Sequence, residues 1–218
     1  MFFKDRRDAG EKLISSLLPY QKAAHTLVLG LARGGVIVAD AVAKGLSLPL
    51  NVVVPRKIGA PGQKELAIGA LAEGDRVFLN HRLIQILGVP EDYLEAEIAH
   101  EQQVALERIK RFRKNLPLPD LKDWQVLLVD DGIATGATML AVIESMRTLG
   151  VKKVVVAVPT SSVDAYNAVE SSADEVISLI VDPDFHTVGQ YYDLFDQTSD
   201  DEVLRLLQKK QQDEQAST

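Results

Sequence analysis

Apolar residues fall along this chain in two alternating patterns: short unbroken runs and stripes at helical spacing. The runs are Thr26–Leu31, Leu50–Val54, Gln125–Val129, Lys153–Val158 and Glu175–Val181. Runs this short and continuous predict strands buried on both faces. Between them, Leu13, Ile14, Leu17 and Leu18 recur at helical spacing until Pro19. Val36 to Gly45 reads as a helix with glycine at its end. Leu94, Ile98, Ala105, Ile109 and Phe112 mark one face of a long helix, with Pro90 as its first residue and a break at Asn115 to Pro119. Further helices are predicted over 137–149, where Gly150 stops the pattern, over 163–170 and over 201–210. The alternation predicts an α/β fold with a largely parallel sheet and helices on both faces. Ligands in such sheets bind beyond the carboxyl ends of the strands.

Residues 56–75 interrupt the alternation. They carry Gly59, Pro61, Gly62, Gly69 and Gly74, which predict a long loop or a loop with a hairpin, of a length that suits a mobile active-site lid. A strand over 76–80 follows. The polar residues 211–218 are expected to fray.

Composition narrows the classes. A chain of 218 residues, 46% hydrophobic and 25% charged, suits one globular domain spanning 1–218. Its net charge of −7 gives it no general attraction to duplex nucleic acid, which is not an expected partner. To hold a polyanionic small molecule it needs local devices: backbone amides, a few Arg and Lys, and a divalent cation. The absence of cysteine excludes disulfides, thiolate nucleophiles and zinc–thiolate sites. The first ten residues lack the apolar core of a signal peptide, and no apolar run approaches the ~20 residues of a membrane span. The cytoplasm is expected, and no membrane partner.

The clearest chemistry follows the run ending at Val129: Asp130-Asp131-Gly132-Ile133-Ala134-Thr135-Gly136-Ala137-Thr138, then a helix. Small residues let the backbone wrap an anion, and successive N–H groups with the positive end of the helix attract phosphate. Thr135 and Thr138 add hydroxyl donors. Asp130 and Asp131 can accept hydrogen bonds from vicinal hydroxyls. A phosphate pocket beside such acids describes a sugar-phosphate site. Replacing Gly136 by Val is expected to crowd the phosphate and strain the loop. The bland alternative is a turn with an Asp cap before an amphipathic helix. No G-x-G-x-x-G follows a strand, no G-x-x-x-x-G-K-[ST] is present, and His25, His81, His100 and His186 have no metal-ligand spacing. His100 is expected at the surface. The charged run Glu107 to Lys114 reads as a solvated helix face. Adjacent acids on an extended strand point to opposite faces, which counts against a hydrolase holding a metal between them.

Residues 126–138 resemble the phosphoribosyl-pyrophosphate motif of the type I phosphoribosyltransferases: four apolar residues, two acids and a Gly/Thr-rich loop. Ala137 departs from the glycine common there. Ala32-Arg33-Gly34-Gly35, after the first run, resembles the family's pyrophosphate loop, which implies a cis Ala32–Arg33 peptide. The whole chain is most similar to a bacterial subgroup of phosphoribosyltransferases of undefined acceptor. The shared residues include Phe3, Asp5, Arg6, Asp8, Ala9 and Gly10, then 56–62, 188–192 and Phe195; Ala32 stands where that subgroup commonly has Pro.

The resemblance implies the type I fold with a flexible loop over about 56–75 and a small C-terminal hood over about 182–210. It implies Mg²⁺-dependent transfer of phosphoribosyl from 5-phosphoribosyl-1-pyrophosphate to a nitrogen acceptor, usually a nucleobase. Pyrophosphate and a nucleoside monophosphate would be the products. In that scheme Asp130, Asp131 and Arg33 are catalytic. Ala32, Gly34, Gly35, Lys57 and residues Gly132, Ile133, Ala134, Thr135, Gly136, Ala137 and Thr138 bind substrate. Asp130 and Asp131 reach the metal through water or the ribose hydroxyls. Lys57 reads equally as a ligand or a solvated loop lysine. Phe185, Tyr191, Tyr192 and Phe195 read equally as a base-stacking wall or a packed flap. The resemblance admits a homodimer. A regulator that senses phosphoribosyl pyrophosphate without transferring it is the alternative.

Overall fold

The computed structural model describes residues 2–73, 76–114 and 116–216, and the counts below are of these. A five-stranded sheet runs in the order β2-β1-β6-β7-β8, with β1 (Thr26–Leu31), β2 (Leu50–Val53), β6 (Gln125–Val129), β7 (Lys153–Ser162) and β8 (Glu175–Asp182). Every pairing in it is parallel. Its central strands are buried on both faces, which is why they read as unbroken apolar runs.

From β1 the chain goes outward to β2, then returns to the other side of β1 as β6. That reversal is a topological switch point, where the loops leaving adjacent strands splay apart and open a crevice. The segments after β1 and β6 are the two singled out by sequence.

α1 (Arg6–Leu17) and α2 (Gly34–Leu46) cover one face, with Leu13, Leu17, Val38 and Val42 packed on Val28, Leu127 and Val155. α5 (Ala137–Thr148) and α6 (Val163–Glu170) cover the other, through Met139, Val142, Met146 and Val169 on Leu29, Leu128 and Val156. α2 starts two residues before the apolar stripe does. Gly45 lies inside it and does not cap it: the left-handed cap is Ser47, and a side chain at 45 would meet Ile14 of α1.

Residues 56–79 resolve the loop-or-hairpin alternative in favour of a hairpin with a third strand, β3 (Arg56–Ala60), β4 (Gln63–Ala72) and β5 (Arg76–Leu79), all antiparallel. Gly74 and Asp75 lie outside the described residues. α3 (His81–Leu87), not predicted from sequence, follows, then α4 (Glu91–Arg113), capped by Pro90 where the sequence suggests Pro90 as its first helical residue. Ile58, Ala60 and Ile68 form a small core with Leu83, Tyr93, Leu94 and Ile98. α4 is less of a solvated face than its charges suggest. Phe112 and Arg113 are buried, and Arg113 pairs with Glu73, whose carboxyl burial pushes up against the lowering effect of Arg113. α7 (Asp200–Ala216) packs Val203 and Leu207 with Phe112 and Val52 and stays helical through Ala216, where fraying is expected from 211; residues 217 and 218 are not described. Among the described residues no helix is long and apolar enough to cross a membrane.

Candidate active site

The turn after β1 and the acids after β6 meet at the switch point. The Ala32–Arg33 peptide is cis, as the pyrophosphate-loop resemblance implies. Gly34 and Gly35 then open α2, whose start has no side-chain cap; the Val36 N–H donates to the Arg33 carbonyl at 3.1 Å. A Cβ on Gly34 would lie 2.0 Å from Asp131 Oδ2, and one on Gly35 would lie 2.7 Å from Asp130 Oδ1. Only glycine permits this contact. The acids lie past the end of β6, so strand alternation does not separate them, and both carboxylates reach the same turn.

The two acids differ in company. Arg6 Nε donates to Asp131 Oδ2 at 2.7 Å; its Nη1 donates to the Asp196 carbonyl at 2.7 Å, and its guanidinium lies 3.9 Å above the Phe195 ring. Asp130 Oδ1 accepts from the Asp131 backbone N–H at 2.8 Å. Burial pushes both carboxyls up. For Asp131 Arg6 opposes the rise, whereas for Asp130 the charge of Asp131 adds to it and leaves Asp130 well above the usual carboxylate range. Tyr192 Oη donates to the Asp131 carbonyl at 2.6 Å, and burial, then Asp131, pushes its hydroxyl up.

The loop of residues 132–136 is pinned to β7. The Ile133 N–H donates to the Thr160 carbonyl at 2.9 Å, the Ser162 N–H donates to the Ile133 carbonyl at 3.0 Å, and Ser162 Oγ donates to the Ala134 carbonyl at 2.9 Å. Gly136, at φ +79°, turns the chain into α5, which has no side-chain cap. A Cβ at Gly136 would face Val169 at 3.5 Å and Ala165, and the left-handed backbone there accounts for the expected strain of a branched side chain. A cavity of about 180 Å³ is lined by Asp130, residues 132–139, Lys57, Ala67 and Val188. Lys57, from β3, thus borders the same cavity as this loop.

Arg33 lies apart from that cavity. Its Nη1 is 3.6 Å from Asp200 Oδ1, at the start of α7. The C-terminal aromatics form the packed flap: Tyr191 and Tyr192 are buried with Phe3, and the Tyr192 and Phe195 rings are 4.9 Å apart. Val188 of this segment sits over Gly132, where a Cβ would be 2.6 Å away. Arg6 was missed as a site residue by sequence, although it lies in the N-terminal cluster carrying the subgroup resemblance. His100 is exposed, as expected.

Residues 4–196 match the family described as "Phosphoribosyl transferase domain". The chain is 42% identical over 214 residues, 97% of its length, to a Mycobacterium tuberculosis protein named "Putative phosphoribosyl transferase Rv0571c", of which the match covers 47%. A ribose-phosphate pyrophosphokinase of Thermococcus kodakarensis is 30% identical over 134 residues, 61% of this chain and 45% of that protein. The chain therefore spans about half the length of these relatives. The crystal structure of TT1426 from Thermus thermophilus is similar with a TM-score of 0.79 and 42% identity, over 96% of this chain and 99% of that one.

Proposed function

The chain belongs to the phosphoribosyl transferase family, and on that premise we propose that it binds 5-phosphoribosyl-1-pyrophosphate and transfers the phosphoribosyl group to a nitrogen acceptor, a nucleobase by class. The observation that carries this reading is one cavity lined by both the uncapped start of α5 with the loop before it and the half-buried side chain of Asp130. The 5-phosphate is read onto residues Thr135, Gly136, Ala137 and Thr138, and the ribose hydroxyls onto Asp130 and Asp131. The pyrophosphate is read toward Arg33, Gly34 and Gly35. The acceptor nitrogen attacks the anomeric carbon, the bond to pyrophosphate breaks, pyrophosphate leaves with the electron pair, and the nitrogen loses a proton. Positive charge developing on the ribose lies beside the acids, and binding energy at the remote phosphate orients the reacting carbon.

Mg²⁺ fits the residues present. Arg6 pairs with Asp131, and a divalent cation beside Asp130 would favour the ionised form of that raised carboxyl, a hard oxygen donor. Among the described residues no group of three or more His, Cys, Asp or Glu is placed to hold a metal. Asp130 and Asp131 would therefore hold it together with oxygens of the substrate, through water or the ribose hydroxyls. When bound it neutralises the leaving pyrophosphate.

The test is pyrophosphate release from phosphoribosyl pyrophosphate and Mg²⁺ against a panel of nitrogen acceptors. Release dependent on an acceptor is expected. Tight binding with no release for any acceptor would favour a sensor, and no binding of phosphoribosyl pyrophosphate would refute the reading.

A further inference from the structure

α4 supplies a guanidinium that the proposed reaction does not use. Arg108 Nε lies 3.8 Å from Asp200 Oδ1, the oxygen that is 3.6 Å from Arg33 Nη1. Both separations exceed hydrogen-bond length, and Oδ1 is a buried atom with no hydrogen-bond partner. The other oxygen, Oδ2, accepts from Arg111 Nη1 at 3.1 Å. Asp200 is thus tethered through one oxygen and shared loosely between two arginines through the other.

The arginines come from separate elements. Arg33 ends the turn after β1, Arg56 opens β3, and Arg108 lies on α4. Arg56 Nε donates to Glu101 at 2.6 Å. Burial, then the charge of Arg56, depresses Arg108, and Arg33 adds to this while Asp200 and Glu101 oppose it. Guanidiniums gathered against their own repulsion from three elements suit an anion richer in charge and acceptor oxygens than one carboxylate. Arg56 and Lys57 line a second cavity of about 230 Å³, and Lys57 also borders the phosphate-loop cavity. Arg56 is thus joined to the proposed substrate site through its neighbour Lys57, and Arg33 through the adjoining Gly34, which packs against Asp131.

Building on the reading of Arg33 as a pyrophosphate contact, we propose that Arg108 is a second pyrophosphate-binding residue and that Asp200 is a resident counterion, displaced from Arg33 and Arg108 when pyrophosphate arrives. The exchange swaps one anion for another and makes or breaks no covalent bond. In it, Asp200 keeps its tether to Arg111 while its untethered oxygen yields.

Calorimetric titration of the full chain with inorganic pyrophosphate in Mg²⁺, and separately with ribose 5-phosphate, tests this. Arg108→Gln is expected to weaken pyrophosphate about tenfold or more while leaving ribose 5-phosphate unaffected, and Arg108→Lys to restore part of the loss. Asp200→Asn is expected to tighten pyrophosphate about fivefold, which a purely structural aspartate at a helix start would not do. Unchanged pyrophosphate affinity in Arg108→Gln, or unchanged or weaker affinity in Asp200→Asn, overturns the proposal. A native protein that binds neither ligand refutes the site reading as well. One that binds both but is insensitive to these variants refutes the roles given to Arg108 and Asp200 and leaves the site reading standing.

Discussion

Replacing Arg6 with Met removes one partner of a buried ion pair and keeps an apolar stem against Phe195. The Arg6 and Asp131 side chains are only 10% and 16% exposed. Removing one member of such a pair costs about 3–5 kcal/mol, because the other charge is left without compensation. The bond to the Asp196 carbonyl is lost as well. For a chain of 218 residues, where each kcal/mol moves Tm by about 2–4 °C, the fall is roughly 6–20 °C near neutral pH.

The deficit depends on pH in a definite direction. Asp131 already sits above its ordinary value because of burial, and Arg6 is the influence that opposes the rise. A carboxyl raised in the fold contributes stability that is present below its unfolded pKa of about 3.9 and lost as pH rises through the folded value. Without Arg6 the folded value rises further, so the loss continues to higher pH. The Arg6→Met deficit should therefore be smallest near pH 4–5 and grow toward pH 8. Scanning calorimetry of both proteins across that range measures it. A deficit that is the same at every pH, or below about 2 °C at pH 8, would refute the charge argument.

Asp131→Asn should fold, because its shape is nearly kept, but should weaken phosphoribosyl pyrophosphate binding or turnover by about 1.5–3 kcal/mol; unchanged kinetics in a folded variant would remove Asp131 from ribose recognition. Gly136→Val should lose about 1–2 kcal/mol of stability from its left-handed backbone and bind ribose 5-phosphate at least tenfold more weakly, as calorimetry would show; native affinity would take the loop out of the site. Ribose 5-phosphate or a nucleoside monophosphate should raise Tm by mass action while the matching nucleoside should not, and equal protection by nucleoside and nucleotide would contradict the phosphate handle.

The parallel strands are legible because burial on both faces leaves them almost nothing but apolar residues. β7 exceeds its predicted end because Pro159 looks like a stop. Beyond Val129 β6 no longer flanks it, so the missing N–H is tolerated. α3 is only seven residues long, so its apolar residues complete too few turns to mark a helical stripe. The site loops are legible because their chemistry is local: a run of small residues and hydroxyls beside two acids. Arg6 and Arg108 are not. Arg6 meets Asp131 from 125 positions away, and nothing near either residue in sequence announces the other. Likewise, no periodicity shows that Asp200 will meet Arg33; only the packing of α7 on α2 and α4 brings them together.

The stitching of the segment before α1 to the segment before α7 has a consequence for synthesis. The Phe3 N–H donates to the Tyr191 carbonyl, the Asp193 N–H donates back to the Phe3 carbonyl, and Arg6 reaches Asp196. At a ribosomal pace of about 5–20 residues per second, α1 waits many seconds for those partners. Until they emerge, Asp131 lacks both the neighbours that anchor Arg6 and the hydroxyl of Tyr192. A nascent chain can therefore lay down β1, β2 and β6 in order while Asp131 still lacks its ion-pair support. The acids after β6 acquire their full surroundings only once the segment through Asp196 has left the ribosome.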